Sequence, residues 1–362
     1  MATTREMTGA ERMLAACHLQ PVDATPIWFM RQAGRCFPEY RKLREKYEIL
    51  TIAKTPELCV QVTLLPVKRL HVDAAVIFAD IMLPLEGMGV PFRIEPDIGP
   101  IIPHPIRTQD DVDKVRVIEA EEATPYVFEA IKLIGKELGD TAALVGFSGS
   151  PFTMACYMIE GQPSRDYARA KALMLGQPDL WHRLMDKVTE VVVRYLRGQV
   201  TAGIQVAQLF DSWVGILSPQ QYKEFVLPYS QRIFAEMRDI GIPTIHFGTG
   251  AAALLELMAS AGSNLIGVDW RVPLDRAWSQ IGYNRGIQGN LDPTMLLAPF
   301  QVTREGARDI LKMAGGRPGH IFNLGHGVLP DTNPDDLARL VEFVHEESSR
   351  NGPGAPHKTD LN

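Results

Sequence analysis

Cysteine is scarce in this chain of 362 residues, and the four present, Cys17, Cys36, Cys59 and Cys156, stand far apart with no CxxC among them. A disulfide framework and a zinc knuckle are both excluded by that spacing, which reads as reduced thiols in a reducing compartment. No apolar run approaches the length of a bilayer span. The start, Met1-Ala2-Thr3-Thr4-Arg5-Glu6, lacks the apolar core of a signal peptide, so a cytoplasmic protein is expected. There is no basic block or tail: 37 Lys and Arg face 43 Asp and Glu, for a net charge of −6. That balance argues against a nucleic-acid partner. A polyanionic ligand would have to find a local positive pocket in an acidic protein. Internal repeats and low-complexity linkers are also missing.

What is present is apolar sequence, 46% of the residues, enough for a large core. Two stretches read as unstructured, the Pro/Gly/Ile-rich segment Glu95 to Pro105 and a frayed tail over 351–362. Between them, short apolar runs alternate with longer helical patterns. The runs are Ile27–Met30, Ala74–Ile81, Ala142–Phe147, Ile204–Phe210, Pro243–Phe247, Leu265–Trp270, Gly286–Gly289 and Ile321–Leu324. Each is mostly apolar on both alternations, as a strand buried on both faces should be. Among the helical patterns, Pro178 to Val200 sets Leu180, Leu184, Val188, Val191 and Tyr195 on one stripe. Asn333-Pro334 reads as a cap followed by Pro at the first helical position. Eight strand–helix units predict an α/β fold, a single (β/α)₈ TIM barrel over residues 1–350, with its site at the C-terminal ends of the strands. A doubly wound open sheet is the alternative.

Reactive residue types gather at those strand ends. The first run leads into Arg31-Gln32-Ala33-Gly34-Arg35, two guanidiniums around a small turn. Arginine forks bind carboxylates in bidentate fashion and keep their charge when desolvated, so an anionic ligand is indicated, a polycarboxylate or a phosphate. The second run ends at Asp80, a carboxylate that is costly after an apolar strand unless something pairs with it. It could pair with an arginine, cap a helix or accept hydrogen bonds from ligand N–H groups. The third run is followed by Gly146 to Pro151 and a helix carrying Tyr157, the fourth by Phe210-Asp211-Ser212, and the last by Gly325-His326-Gly327. One competing motif is His246-Phe247-Gly248-Thr249-Gly250-Ala251-Ala252-Ala253. It reads as strand, G-x-G-x-x-A and helix, with Asp269 placed where a ribose-binding acid would stand. Its position fifth among eight runs weighs against a dinucleotide site.

Taken together and in order, Trp28 to Tyr40, Ile77 to Ile81, Gly146 to Pro151, Tyr157 to Gly161, Gln208 to Ser212, Gly267 to Trp270, Gly289 to Pro293 and Asn323 to Gly327 closely resemble the uroporphyrinogen decarboxylase family, from about Pro26 to Val344. The resemblance implies a (β/α)₈ barrel, a homodimer with facing clefts, and removal of the four acetate carboxyls of uroporphyrinogen III without metal or organic cofactor. It assigns substrate contact to Arg31, Gln32, Ala33, Gly34 and Arg35, and cation stabilisation over the pyrrole N–H groups to Asp80. Tyr157, Phe210, Ser212 and His326 complete the pocket, and Arg31 and Arg35 join Asp80 as candidate catalytic residues. Arg31, Arg35, His326 and a bound water stand as possible proton donors. Cys36-Phe37 is an apolar departure from the family pattern.

Two rival functions are open to this fold. Zinc-dependent methyltransferases look similar but carry His-x-Cys after the fifth strand and a Cys in the last Gly-x-Gly loop, because zinc needs soft thiolate ligands. Here those places hold His246-Phe247-Gly248 and His326. A tetrapyrrole carrier without turnover is the other rival, and the presence of Asp80 argues against it.

Overall fold

The computed structural model describes residues 6–96 and 98–349. Nine strands are assigned among them: β1 (Ala74–Val76), β2 (Arg93–Glu95), β3 (Gly99–Ile101), β4 (Ala143–Gly149), β5 (Val206–Asp211), β6 (Thr244–Gly248), β7 (Leu265–Gly267), β8 (Gly286–Gln288) and β9 (His320–Ile321). β1 and β4 to β9 form one parallel sheet in sequential order. Each step between neighbours is crossed by at least one helix, as a parallel pair requires.

The first predicted run closes this sheet. Ile27 bridges Phe322 in parallel. The Phe322 N–H donates to the Pro26 carbonyl at 2.8 Å, and on the other side the Asp73 N–H donates to the Ile27 carbonyl at 2.9 Å. The Ile27 segment thus stands as the eighth stave between β9 and β1, and the sheet is a (β/α)₈ barrel. Each of the eight predicted runs overlaps a barrel stave. Side chains lock the seam from below. Asp73, almost fully buried, accepts from Arg12 through Oδ1 at 2.6 Å and from the Ile27 N–H through Oδ2 at 2.7 Å, and Oδ2 also lies 2.7 Å from His345 Nε2. One carboxylate so ties the first helix, Gly9–Cys17, and the last, Pro334–Ser348, to the seam.

The outer helices form where the sequence pattern places them. Pro178–Ala202 buries Leu180, Leu184, Val188, Val191 and Tyr195 against the sheet and stops at Gly203, whose φ of 121° suits glycine. Fully burying one such Leu or Val contributes about 1.5–3 kcal/mol. The Asn333 side chain accepts from the Asp335 N–H at 3.0 Å and so caps Pro334–Ser348. No helix among the described residues is long and apolar enough to cross a membrane.

Two expectations need correction. Glu95 to Pro105 is not simply a loop: β2 and β3 pair antiparallel, with Arg93 opposite Ile101. The Ile102 and Ile106 N–H groups then bond Gly161 and Met158 carbonyls, fastening this ribbon to the helix Pro151–Glu160. Second, the run Ala74–Ile81 is strand only to Val76, with one more backbone bond from Ile77 to Val145, so Asp80 lies on the turn beyond the strand. The tail over 351–362 lies outside the described residues.

Candidate active site

A cavity of about 560 Å³ opens at the C-terminal ends of the staves, where a barrel keeps its site. That volume lies within the range of small-molecule sites. Arg31, Ala33, Gly34, Arg35, Asp80, Tyr157, Phe210, Ser212 and His326 all line it. Gln32 does not. Its amide oxygen accepts from the Phe29 N–H at 3.0 Å and its amide nitrogen donates to the Ala74 carbonyl at 2.9 Å, both fully buried. Gln32 therefore pins the turn to β1, and its side chain is turned away from the cavity.

That pinning shapes the arginines. Arg31 adopts φ 58°, a left-handed conformation uncommon for a residue with a side chain. The Val328 N–H holds the Met30 carbonyl just before it at 2.9 Å. Gly327 leaves room for the Arg31 stem, since a Cβ there would stand 2.4 Å from Arg31 Cδ. Gly325 is equally constrained, because its Cβ would lie 2.4 Å from the Trp270 nitrogen. The small residues on both sides of His326 thus let the last loop pass close to its neighbours. Neither the Arg31 nor the Arg35 guanidinium has a hydrogen bond or ion pair among the described residues, and both are exposed. The acidic chain therefore presents two uncommitted cations at one mouth.

Asp80 faces them from the turn after β1. Its Oδ1 accepts from the Met82 N–H at 2.8 Å, and no protein donor among the described residues reaches the other oxygen. Asp80 is half-buried and borders the cavity. Burial raises its pKa, while the Met82 bond and the charge of Arg31 pull it back. His326 is pushed the opposite way, to about 4, first by burial and then by the charges of Arg31 and Arg271. It stands as a neutral imidazole at neutral pH. Tyr157 is raised chiefly by burial. The Ser212 hydroxyl has no protein partner among the described residues, while its carbonyl accepts from Thr249 Oγ1.

The walls are aromatic, and the motif reading found only part of them. Phe210 meets Phe147 edge-on at 5.4 Å and Phe247 at 6.0 Å, while Phe78 packs on Tyr40 at 5.6 Å. All five line the cavity, with Ile94, Gly99 and Pro100 of the ribbon at the rim. Strand parity carried a signal for Phe247, which is the register partner of Phe210. The ribbon left none.

Parity also explains what is not in the cavity. Asp211 and His246 follow and precede inward residues, so they point into the wall behind the barrel, both fully buried. There Asp211 takes the Ser150 hydroxyl at 2.5 Å and lies 3.4 Å from His246 Nε2. His246 therefore does not offer the cavity a metal ligand. Among the described residues no three His, Cys, Asp or Glu side chains are grouped as metal ligands. The competing Gly-rich motif is likewise used internally: Asp269 accepts from the Gly250 N–H at 2.5 Å and from Arg271 at 2.6 Å.

The sequence model of the family described as "Uroporphyrinogen decarboxylase (URO-D)" matches residues 8–347. The chain is 53% identical over 339 residues to a protein of Carboxydothermus hydrogenoformans named uroporphyrinogen decarboxylase, covering 94% of this chain and 97% of that one. To a protein of the same name from Sorangium cellulosum it is 51% identical over 348 residues, 96% of this chain and 99% of the other. Among solved structures, a methyltransferase from Methanosarcina mazei superposes with a TM-score of 0.74 at 21% identity, over 94% of this chain and 98% of its own. At that identity the likeness concerns the fold.

Proposed function

The chain belongs to the uroporphyrinogen decarboxylase family, and we propose that the cavity bounded by Arg31, Arg35 and Asp80 is where its reaction takes place. The activity is that of a carboxy-lyase: each of the four acetate side chains of uroporphyrinogen III becomes a methyl, giving coproporphyrinogen III and CO₂ on the route to haem and related tetrapyrroles.

Each event replaces a carboxylate by hydrogen. A proton adds to the ring carbon that bears the acetate, which makes the pyrrole cationic. The electron pair of the bond to the carboxyl carbon then flows into that ring as CO₂ leaves. A proton taken up by the methylene carbon and loss of the first proton from the ring restore the pyrrole. The protein must therefore hold several carboxylates and favour a cation.

Asp80 suits the second task. Its unpaired oxygen can accept pyrrole N–H groups, which become more acidic as the ring becomes cationic, so these bonds tighten in the transition state. The phenylalanine walls keep the surroundings of low polarity, where such bonds count for more. Arg31 and Arg35 suit the first task, as fixed forks for substrate carboxylates. Neutral His326 has no charge to give as an acid at neutral pH but can donate its N–H. That leaves Arg31, Arg35 or a water they hold as the source of the proton. The opposition of an unpaired carboxylate oxygen and two unpaired guanidiniums in one aromatic cavity carries this assignment. We further read the enzyme as a cytoplasmic homodimer built on one barrel over 1–350, working without metal or organic cofactor. The family resemblance supports that reading, as do four free, buried cysteines.

The test is anaerobic incubation of the purified protein with uroporphyrinogen while loss of carboxyls is followed. Asp80→Asn should lower turnover on the order of a hundredfold or more. Because the folded state takes up the Asp80 proton at higher pH than the unfolded chain does, the ionised group costs stability at neutral pH. Asp80→Asn should therefore melt no lower than the parent. Normal turnover in that variant refutes the role given to Asp80.

A further inference from the structure

Against Tyr157 two buried donors converge from residues that do not line the cavity. Tyr157 sits on the helix Pro151–Glu160 with its ring edge-on to Tyr167 and Trp213, both at 6.0 Å, while Tyr167 and Trp213 lie 5.0 Å apart. Tyr167 is fully buried and starts the helix Ala168–Gly176 from a left-handed conformation, φ 48° and ψ 46°, which few non-glycine residues adopt. The chain accepts that conformation and places a tyrosine ring directly against another. Trp213 follows Ser212 at the end of β5.

Neither donor has an alternative outlet. The Tyr167 hydroxyl and the Trp213 indole nitrogen are both enclosed, and neither meets a hydrogen-bond partner among the described residues. An indole N–H can only donate, and a buried donor without an acceptor is costly. Both rings pack edge-on against Tyr157. The two groups favour the charged form of the Tyr157 phenol against the larger effect of burial, while Asp80 and Arg31 act on the same phenol. Hydrogen bonds of catalytic groups are often long in the resting enzyme and tighten with substrate.

We infer that Tyr167 and Trp213 are positioning residues: by donating to the Tyr157 oxygen, they leave the single Tyr157 O–H free to point only into the cavity, as a donor to Asp80 or to a substrate carboxylate. A phenol oxygen receiving two donors cannot turn its own proton toward either of them. The pair thereby fixes the direction of the Tyr157 proton. This inference rests on the reading of the cavity as the decarboxylation site, with Tyr157 in it.

A double-mutant cycle in the decarboxylation assay tests it. Tyr167→Phe keeps the ring and removes the hydroxyl. It should lower kcat roughly three- to tenfold, the factor carried by one neutral hydrogen bond, and leave KM unchanged. In a Tyr157→Phe background the same change should have no further effect on kcat, because the group it orients is gone. Parent-like kcat in Tyr167→Phe, or an equal loss in both backgrounds, overturns the inference. Should Tyr167→Phe fail to fold, Trp213→Phe in the same cycle decides by the same outcomes. If Tyr157→Phe alone is fully active, the placement of Tyr157 in the reaction site fails, a result distinct from loss of coupling.

Discussion

Gly327→Ala adds one methyl group, and the structure says where it goes. A Cβ at 327 would stand 2.4 Å from Arg31 Cδ, 2.7 Å from Cγ and 3.0 Å from Cβ, with no other residue as near. Carbon atoms in contact rest about 3.5–4.0 Å apart, so the overlap is on the order of an ångström along the Arg31 stem. Gly327 has an ordinary negative-φ backbone, so alanine is not itself strained there. Arg31 cannot withdraw, because its left-handed backbone is held by the Gln32 bonds on one side and the Met30–Val328 bond on the other. The stem must change rotamer and carry the guanidinium with it. Stability should suffer little, toward the low end of the roughly 1–3 kcal/mol seen for overpacking, since the guanidinium has no protein partner to lose. Function should suffer more, because a displacement of about 1 Å in a positioning group can cost on the order of a hundredfold. The assay is kcat/KM for uroporphyrinogen decarboxylation beside a thermal melt. Between tenfold and a hundredfold loss is expected, on the scale of that displacement, with a near-parent melt. Arg31→Ala removes the two closest atoms, so Gly327→Ala added to Arg31→Ala should cost nothing more. Parent-like kcat/KM, or an equal loss in the Arg31→Ala background, would refute the reasoning.

Two predictions concern stability. Asp73→Asn leaves the buried Arg12 guanidinium facing only Asp23 and weakens the seam bonds to Ile27 and His345, so unfolding free energy in urea should fall by about 3–5 kcal/mol, the range for breaking a buried pair; a loss under about 1 kcal/mol, the range of an exposed pair, would show that the seam does not depend on that charge. His320, fully enclosed with Nε2 at 3.0 Å from the Gly289 carbonyl, is pushed by burial from 6.5 to about 4. The unfolded chain thus takes a proton that the folded one refuses, so stability from His320 is complete above about 6.5 and is lost as pH falls toward about 4, with a slope of at most about 1.4 kcal/mol per pH unit. Urea midpoints measured from pH 7 to pH 5 should decline, and less steeply in His320→Gln; identical slopes would rule His320 out as a source.

The staves were legible because a strand buried on both faces is apolar at most positions, which a single sequence displays. Where each stave ended was not legible, and Asp80 shows why. Val76 to Ile81 reads as continuous strand, but after Ile77 the chain leaves the sheet and the Phe78 N–H turns to Thr63 Oγ1 on a neighbouring helix. That bond joins residues 15 apart and has no local signature. The β2–β3 ribbon escaped for the opposite reason: both strands are three residues long and β3 contains Gly99 and Pro100, which carry turn chemistry, proline being tolerated where no further strand needs a backbone N–H.

The site divides in the same way. Residue types clustered at strand ends were enough to bring Arg31, Arg35, Asp80, Tyr157, Phe210, Ser212 and His326 into one cavity. Facing was the harder question. Period-two alternation sends Phe210 inward and Asp211 outward, and Phe247 inward and His246 outward. A reading by residue type alone favours the two chemically richer members, which the fold buries in the wall. Gln32 is the sharper case, because it stands between Arg31 and Arg35 and its side chain is spent on holding the turn. Rigid placement of Arg31 depends on Gln32 and Gly327 together, one bonding the backbone and the other making space for the stem. Residues of that kind belong to the site through the geometry they impose on others, and only contacts distant in sequence reveal them.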